Sequence, residues 1–194
     1  MTVQEFLDQF GAYSERLAND LQRFVDALKH RQRSDKAVRE EHVPIRAYLR
    51  RKAVPLDGIL KLGGEAHGFD AKVSYEVEGR RVECTLEVVQ ALAEDAHKVR
   101  HAIADGRMNA EMRLEECRQI ETFPQPIIDA IRTKHTKSYS DVRILLVAVA
   151  GEVTLEDDAI IERWLSEVRS KTVLGNFAEI YLVETARYLI FKIH

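Results

Sequence analysis

The strongest constraint in the sequence is an alternation of period two that runs up to a turn and back again. Phe69, Ala71, Val73, Tyr75 and Val77 alternate with Asp70, Lys72, Ser74 and Glu76. Successive side chains of a strand point to opposite faces, so this stretch is a strand buried on one face. Glu78-Gly79-Arg80 follows, with glycine where a hairpin turn needs a positive φ. On the return, Val82, Cys84, Leu86 and Val88 lie on one face and Arg81, Glu83, Thr85 and Glu87 on the other. This hairpin is the best-defined local structure in the chain.

Helices are expected before it. Phe6, Phe10, Tyr13, Leu17, Leu21, Phe24, Val25 and Leu28 recur at spacings of three and four, the mark of one amphipathic helix. Residues 30–35 turn the chain, and a second helix spans about Lys36 to Lys52, bent near Pro44. After the hairpin, Val89, Leu92, Ala96, Val99 and Ile103 predict a helix ending near Asp105-Gly106. Pro124 and Pro126 open another helix with Ile127, Ile128 and Ile131. Ile144 to Val149 is apolar at every position, as in a strand buried on both faces. A helix from about Leu155 through Trp164 and Val168 and two short β runs, 179–183 and 188–193, complete the chain. Strands mixed with helices in this order predict an α/β (α+β) fold. It is a mixed β-sheet with a central β-hairpin flanked by helices. Residues 1–53 are read as an N-terminal helical extension and 54–194 as the core.

Bulk properties narrow the function classes. The chain has 194 residues, 45% of them hydrophobic and 31% charged, which suits a folded domain with a well-solvated surface. No apolar run approaches the roughly 18 residues of a membrane span. Met1-Thr2-Val3-Gln4-Glu5 shows no basic region leading into an apolar stretch, so no secretory signal is expected. The two cysteines, Cys84 and Cys117, are read as reduced, and the location as cytoplasmic. Cys84 falls on the apolar face of the hairpin and Trp164 on the apolar face of a helix, both as packing residues. The two cysteines form no CxxC, which argues against structural zinc. There is no GxGxxG, P-loop or GxSxG to support a small-molecule enzyme.

The net charge of −3 argues mildly against a dedicated nucleic-acid binder. Between Lys29 and Lys52, however, nine basic residues face three acidic ones. Such a segment can contact the phosphates of DNA or RNA, or simply be a solvated helix face. The amphipathic N-terminal helices also offer a surface for a homodimer.

Chemistry is concentrated on the polar face of the hairpin. Asp70 on the first strand and Glu83 on the second point the same way, and their repulsion would be relieved by a divalent cation. Mg²⁺, or Mn²⁺ in its place, is held by one or two carboxylates together with waters and substrate phosphate. It then polarises a phosphoryl oxygen and helps generate hydroxide. Glu65 is a candidate third carboxylate, and His67 lies beside the acids. On the bland reading, Asp70, Lys72, Arg81 and Glu83 are cross-strand charge pairs worth ~0.2–1 kcal/mol each.

The sequence from about Val54 to His194 resembles the PD-(D/E)XK, or restriction-endonuclease-like, superfamily. The order of elements carries most of the likeness. A helix leads to a strand with Asp70, a turn, a strand with Glu83-Cys84-Thr85, then a helix and a doubly apolar strand. Residues 130–139 and 141–149 also look like nuclease-like proteins of this class. The resemblance implies a divalent-metal-dependent nuclease with Asp70 and Glu83 as metal ligands. Two positions depart from the family pattern: Phe69 stands where a proline precedes the first acid, and Thr85 stands at the lysine position. Lys72, on the face of Asp70, and Lys98, on the following helix, are the candidates to replace that lysine. The alternative is a non-catalytic nuclease-fold protein that binds protein or nucleic acid. The two readings part on whether a lysine ammonium approaches the acid pair.

Overall fold

A computed structural model describes residues 1–20, 22–23, 27, 33–64, 67–91, 124–149, 158–185 and 187–194. Helix α1 (Val3–Asn19) begins at a capping box, in which Thr2 and Glu5 bond each other's backbone N–H. It stops earlier than the spacing of apolar residues predicts. Asp20 takes an extended conformation, and its carboxylate accepts from the Arg23 N–H, as in the cap of a new helical turn.

The second helical stretch comes in three pieces: α2 (Arg33–Ala37), a π turn (Val38–His42) and α3 (Val43–Arg51). Pro44 explains the break. It has no N–H to offer, and its ring crowds the carbonyl four residues back, that of Glu40. The freed Glu40 carbonyl instead accepts from Gln90 Nε2 at 2.5 Å.

Among the described residues, six strands form one sheet in chain order: β1 (Ile59–Leu62), β2 (Ala71–Val77), β3 (Arg80–Ala91), β4 (Arg143–Val149), β5 (Phe177–Glu184) and β6 (Leu189–Lys192). β1, β2 and β3 form an antiparallel meander; β3, β4 and β5 run parallel; β6 returns antiparallel. Glu78 and Gly79 both have positive φ in the β2–β3 turn, the two-residue geometry that matches strand twist. β1 was not anticipated, because four residues are too few to show an alternation.

β3 differs from expectation in length. Val89, Gln90 and Ala91 belong to the strand and pair with Val147, Ala148 and Val149, not to the start of a helix. The remainder of that expected helix lies outside the described residues. α4 (Pro124–His135) and α5 (Asp158–Lys171) fall where the apolar spacing predicts, though the expected onset of α5 near Leu155 also lies outside them.

Each face of the sheet is covered. On one, Val3 and Phe6 of α1 and Ile45, Tyr48 and Leu49 of α3 pack on Leu60, Val73, Leu86, Leu146 and Val183. On the other, Ile127 and Ile131 of α4 and Ile161, Trp164 and Leu165 of α5 pack on Leu145, Val147, Ile180 and Leu182. β4 is buried at every position, as its sequence requires. The N-terminal helices are therefore part of the sheet's own core, with residues on both sides of position 53 in one cluster. This uses the apolar stripe of α1: Val3, Phe6 and Phe10 are buried within the chain and are not an open surface for a second copy.

Candidate functional site

The site forms where β3 changes partners. Its first half pairs with β2 up to Leu86, and its second half pairs with β4 from Thr85 onward. β2 begins only at Ala71, so the backbone of β3 beyond Leu86 loses its antiparallel neighbour. Asp70 fills the gap. Its N–H donates to the Leu86 carbonyl, and its Oδ2 accepts from the Val88 N–H at 2.6 Å. The Gly63 N–H bonds the Asp70 carbonyl at 2.8 Å and closes the loop behind it. A Cβ at Gly63 would overlap the Phe69 carbonyl, so the close approach requires glycine.

The two-residue turn fixes the register. It pairs Val77 with Arg80 and, counting inward from the turn, Ala71 with Leu86. One further step brings Asp70 beside Glu87, two apolar-polar periods away from Glu83.

Glu87 is 6% exposed and sits among cations. Lys134 from α4 donates to its Oε1 at 2.5 Å, and Arg143 from the start of β4 donates to its Oε2 at 2.9 Å. The Tyr139 hydroxyl lies 3.4 Å from Oε1. Arg143 also donates to Asp141 Oδ1 and to the Gly68 carbonyl, and it stacks on the Tyr139 ring with its guanidinium 4.2 Å from the centroid. Asp141 in turn accepts from the Thr85 hydroxyl at 2.7 Å.

Charge and burial set the titration of this cluster. Burial pushes the Asp70 carboxyl above the usual range, and the neighbouring Glu87 adds to this. The Val88 N–H and the ammonium groups of Lys134 and Lys137 pull the other way without overcoming it. Glu41, in the π turn, is raised by its own burial and then by Asp70 and Glu40. Burial, then Glu87, pushes Tyr139 up to about 12, so it stays a hydrogen-bond donor. Asp141 is lowered, because the bonds from Thr85 and Arg143 outweigh its burial.

The sequence-derived candidates fall in different places. Asp70 is at the centre. Glu83 is on the same face, but it pairs with Ser74. That puts it four residues along the strand, about 13 Å away at the strand rise, where it is exposed and ion-paired with Arg81. Lys72 is opposite Thr85, and its ammonium lies 3.7 Å from Asp141 Oδ2. Thr85 is buried and holds Asp141. Glu65 and Lys98 lie outside the described residues, as does Cys117. Cys84 faces the core beside Tyr48, and burial pushes its thiol up. Four of the described residues of the basic segment are engaged: Arg46 packs between the rings of Phe10 and Tyr188, Lys52 pairs with Glu179, and Lys36 and Arg39 pair with Glu40.

No protein-family model, curated protein or solved structure matches this chain. The chemistry of the site must therefore be read from its own residues. Among the described residues, no three His, Cys, Asp or Glu side chains converge as metal ligands, and no helix is long and apolar enough to cross a membrane. What the site offers a cation is a pair of hard carboxylates, Asp70 and Glu87, the second of them bonded at both oxygens to Lys134 and Arg143; Glu41 lies close enough to Asp70 to be raised by it. Two carboxylates suit Mg²⁺, which keeps its remaining positions for water and phosphate.

Sequence reasoning missed Glu87, Lys134, Arg143 and Glu41. For Glu87 the signal was present, since turn register alone pairs it with Asp70. For the others it was not.

Proposed function

We propose that the chain is a divalent-metal-dependent phosphodiesterase acting on DNA or RNA, with a restriction-endonuclease-like core and its working site at Asp70 and Glu87. The observation that carries this reading is Lys134. Its ammonium meets Glu87 beside Asp70, and so provides from α4 the cation that Thr85 lacks on β3. Two further features support it: the order of meander, helix and parallel strand, and two carboxyls raised by burial first, Asp70 then by Glu87 and Glu41 then by Asp70.

Asp70 and Glu87 would hold Mg²⁺ or Mn²⁺, which supplies Lewis-acid polarisation and an activated water when bound. The chain's own residues do the rest. Arg143 and Tyr139 fix the orientation of Glu87. Lys134 places a positive charge, and protons it can share, next to the carboxylate pair, where negative charge develops on a phosphoryl group. Asp70 is tied at one oxygen to the Val88 N–H, which orients the other.

A second reading has one observation in its favour. Both oxygens of Glu87 are already neutralised by Lys134 and Arg143, as expected of a purely structural ion network in a non-catalytic interaction protein. Cleavage assays separate the two. Plasmid, single-stranded DNA and RNA are incubated with the protein in Mg²⁺ and in Mn²⁺, alongside Asp70→Ala, Glu87→Gln and Glu83→Ala. Metal-dependent cleavage that is lost in the first two variants and kept in the third supports the phosphodiesterase. No cleavage of any substrate supports the interaction protein.

A further inference from the structure

The edge of the sheet next to Asp70 carries an arrangement that costs stability. Lys61 of β1 and Lys72 of β2 are directly opposite each other in the antiparallel register. Like charges at opposed positions destabilise a sheet. Both side chains are exposed, and both ammonium groups bend over the same ring: Nζ of Lys61 is 5.8 Å and Nζ of Lys72 5.0 Å from the centroid of Phe69. Phe69 immediately precedes Asp70, and the exposed ring of His67 lies 5.7 Å from it. Lys72 is shared with Asp141; among the described residues Lys61 has no carboxylate within ion-pair range.

Register explains why all of this is on one face. Leu60 and Leu62 point with Ala71 and Val73 into the α1–α3 core. Lys61 and Lys72 therefore point to the opposite face, the one that carries Asp70 and Glu87. An aromatic ring with two ammonium groups 5.0 and 5.8 Å from its centroid matches a nucleobase together with its phosphates. Stacking on the ring tolerates any base, and the lysines follow the backbone. A base inside a duplex is already stacked on its neighbours and offers no free face to such a ring.

We infer that Phe69, with Lys61, Lys72 and His67, is a stacking platform for single-stranded nucleic acid that feeds the Asp70–Glu87 pair. The inference rests on the phosphodiesterase reading for the site it feeds, and it adds the substrate class: unpaired strands or ends. A bound phosphate also relieves the Lys61–Lys72 repulsion, which gives the costly pair a purpose.

The test is binding without metal, so that cleavage does not enter. Fluorescence anisotropy in EDTA measures the affinity of a labelled mixed-sequence 16-mer as single-stranded DNA, as single-stranded RNA and as DNA duplex. The wild type is expected to bind single strands at least about tenfold more tightly than duplex. Phe69→Ala is expected to lose about tenfold or more on single strands and little on duplex, while Phe69→Trp keeps the affinity. Phe69→Leu keeps apolar bulk without an aromatic face and should lose nearly as much as Phe69→Ala, which separates stacking from folding. Lys61→Ala and Lys72→Ala each reduce the slope of log affinity against log salt by about one. The DNA and RNA arms show which strand is preferred. Equal affinity for duplex, unchanged binding by Phe69→Leu, or no nucleic-acid binding by the wild type overturns the platform. Metal-dependent cleavage of duplex with no single-strand preference overturns it while leaving the phosphodiesterase intact. Single-strand binding with no cleavage in any metal keeps the platform and removes the phosphodiesterase.

Discussion

The polar face of the β2–β3 hairpin has two ends, built from the same residue types and put to different use. At the outer end, Arg81 and Glu83 pair with side chains 71% and 64% exposed. At the inner end, Glu87, Lys134 and Arg143 meet with side chains 8–12% exposed. The covalent chemistry is alike; the cover is not. α4 and the start of β4 roof the inner end and leave the outer one in water. An exposed pair is screened and contributes little, whereas a roofed carboxylate that loses one partner leaves a buried charge uncompensated. A pair of acids gains chemical meaning from what covers it, not from its spacing in the chain.

The sharpest way to break this contrast is to remove the inner acid. Glu87→Ala leaves Lys134 without its buried ion-pair partner and Arg143 with Asp141 alone, and is expected to destabilise the fold by about 3–5 kcal/mol in urea unfolding. A loss below 1 kcal/mol would mean that the inner network is as loose as the outer one.

Asp70 sharpens the comparison in the other direction. Its carboxyl is raised by burial and by Glu87, so in the folded state the charged form is disfavoured. A raised carboxyl contributes stability below the unfolded pKa, and that contribution is lost as pH rises through the folded pKa. Asp70→Asn keeps an oxygen for the Val88 N–H and removes the charge. It is expected to stabilise the protein by about 0.5–2 kcal/mol at neutral pH. The gain should shrink to nothing below about pH 3.5, where both side chains are neutral. Under the proposed function, the same substitution abolishes cleavage. Gain in stability with loss of activity is the signature of a working site, and destabilisation at neutral pH would contradict it.

Thr85 is at the midpoint of the face. Thr85→Val removes the hydroxyl that Asp141 accepts and should cost about 1 kcal/mol. Glu83→Ala, at the outer end, is expected to change unfolding free energy by less than about 0.5 kcal/mol at any salt concentration.

The sequence made much of the frame legible. The hairpin, its turn at Glu78-Gly79, the doubly buried β4 and the apolar face of α5 all follow from local periodicity. The end of β3 did not. Val89, Gln90 and Ala91 fit the apolar spacing of a helix as well as that of a strand, and the parallel partner that decides between them is more than 50 residues away. Glu83 matches the second acid of the superfamily pattern, although counting from the turn pairs Asp70 with Glu87. Lys134 belongs to a helix 47 residues beyond Glu87, and no local pattern connects them. Glu41 reaches the neighbourhood of Asp70 through a π turn that Pro44 imposes and Gln90 secures, a tertiary arrangement that periodicity does not encode.

The most direct measurement compares Glu87→Gln with Glu83→Gln in one assay, the hydrolysis of a labelled single-stranded oligonucleotide in Mn²⁺. Glutamine keeps the shape at both positions, removes the charge and replaces one acceptor oxygen by an NH2 donor. The account predicts cleavage at the wild-type rate by Glu83→Gln and cleavage at background by Glu87→Gln, with circular dichroism showing both variants folded. Wild-type cleavage by a folded Glu87→Gln, or loss of cleavage in Glu83→Gln, would contradict the assignment of the site.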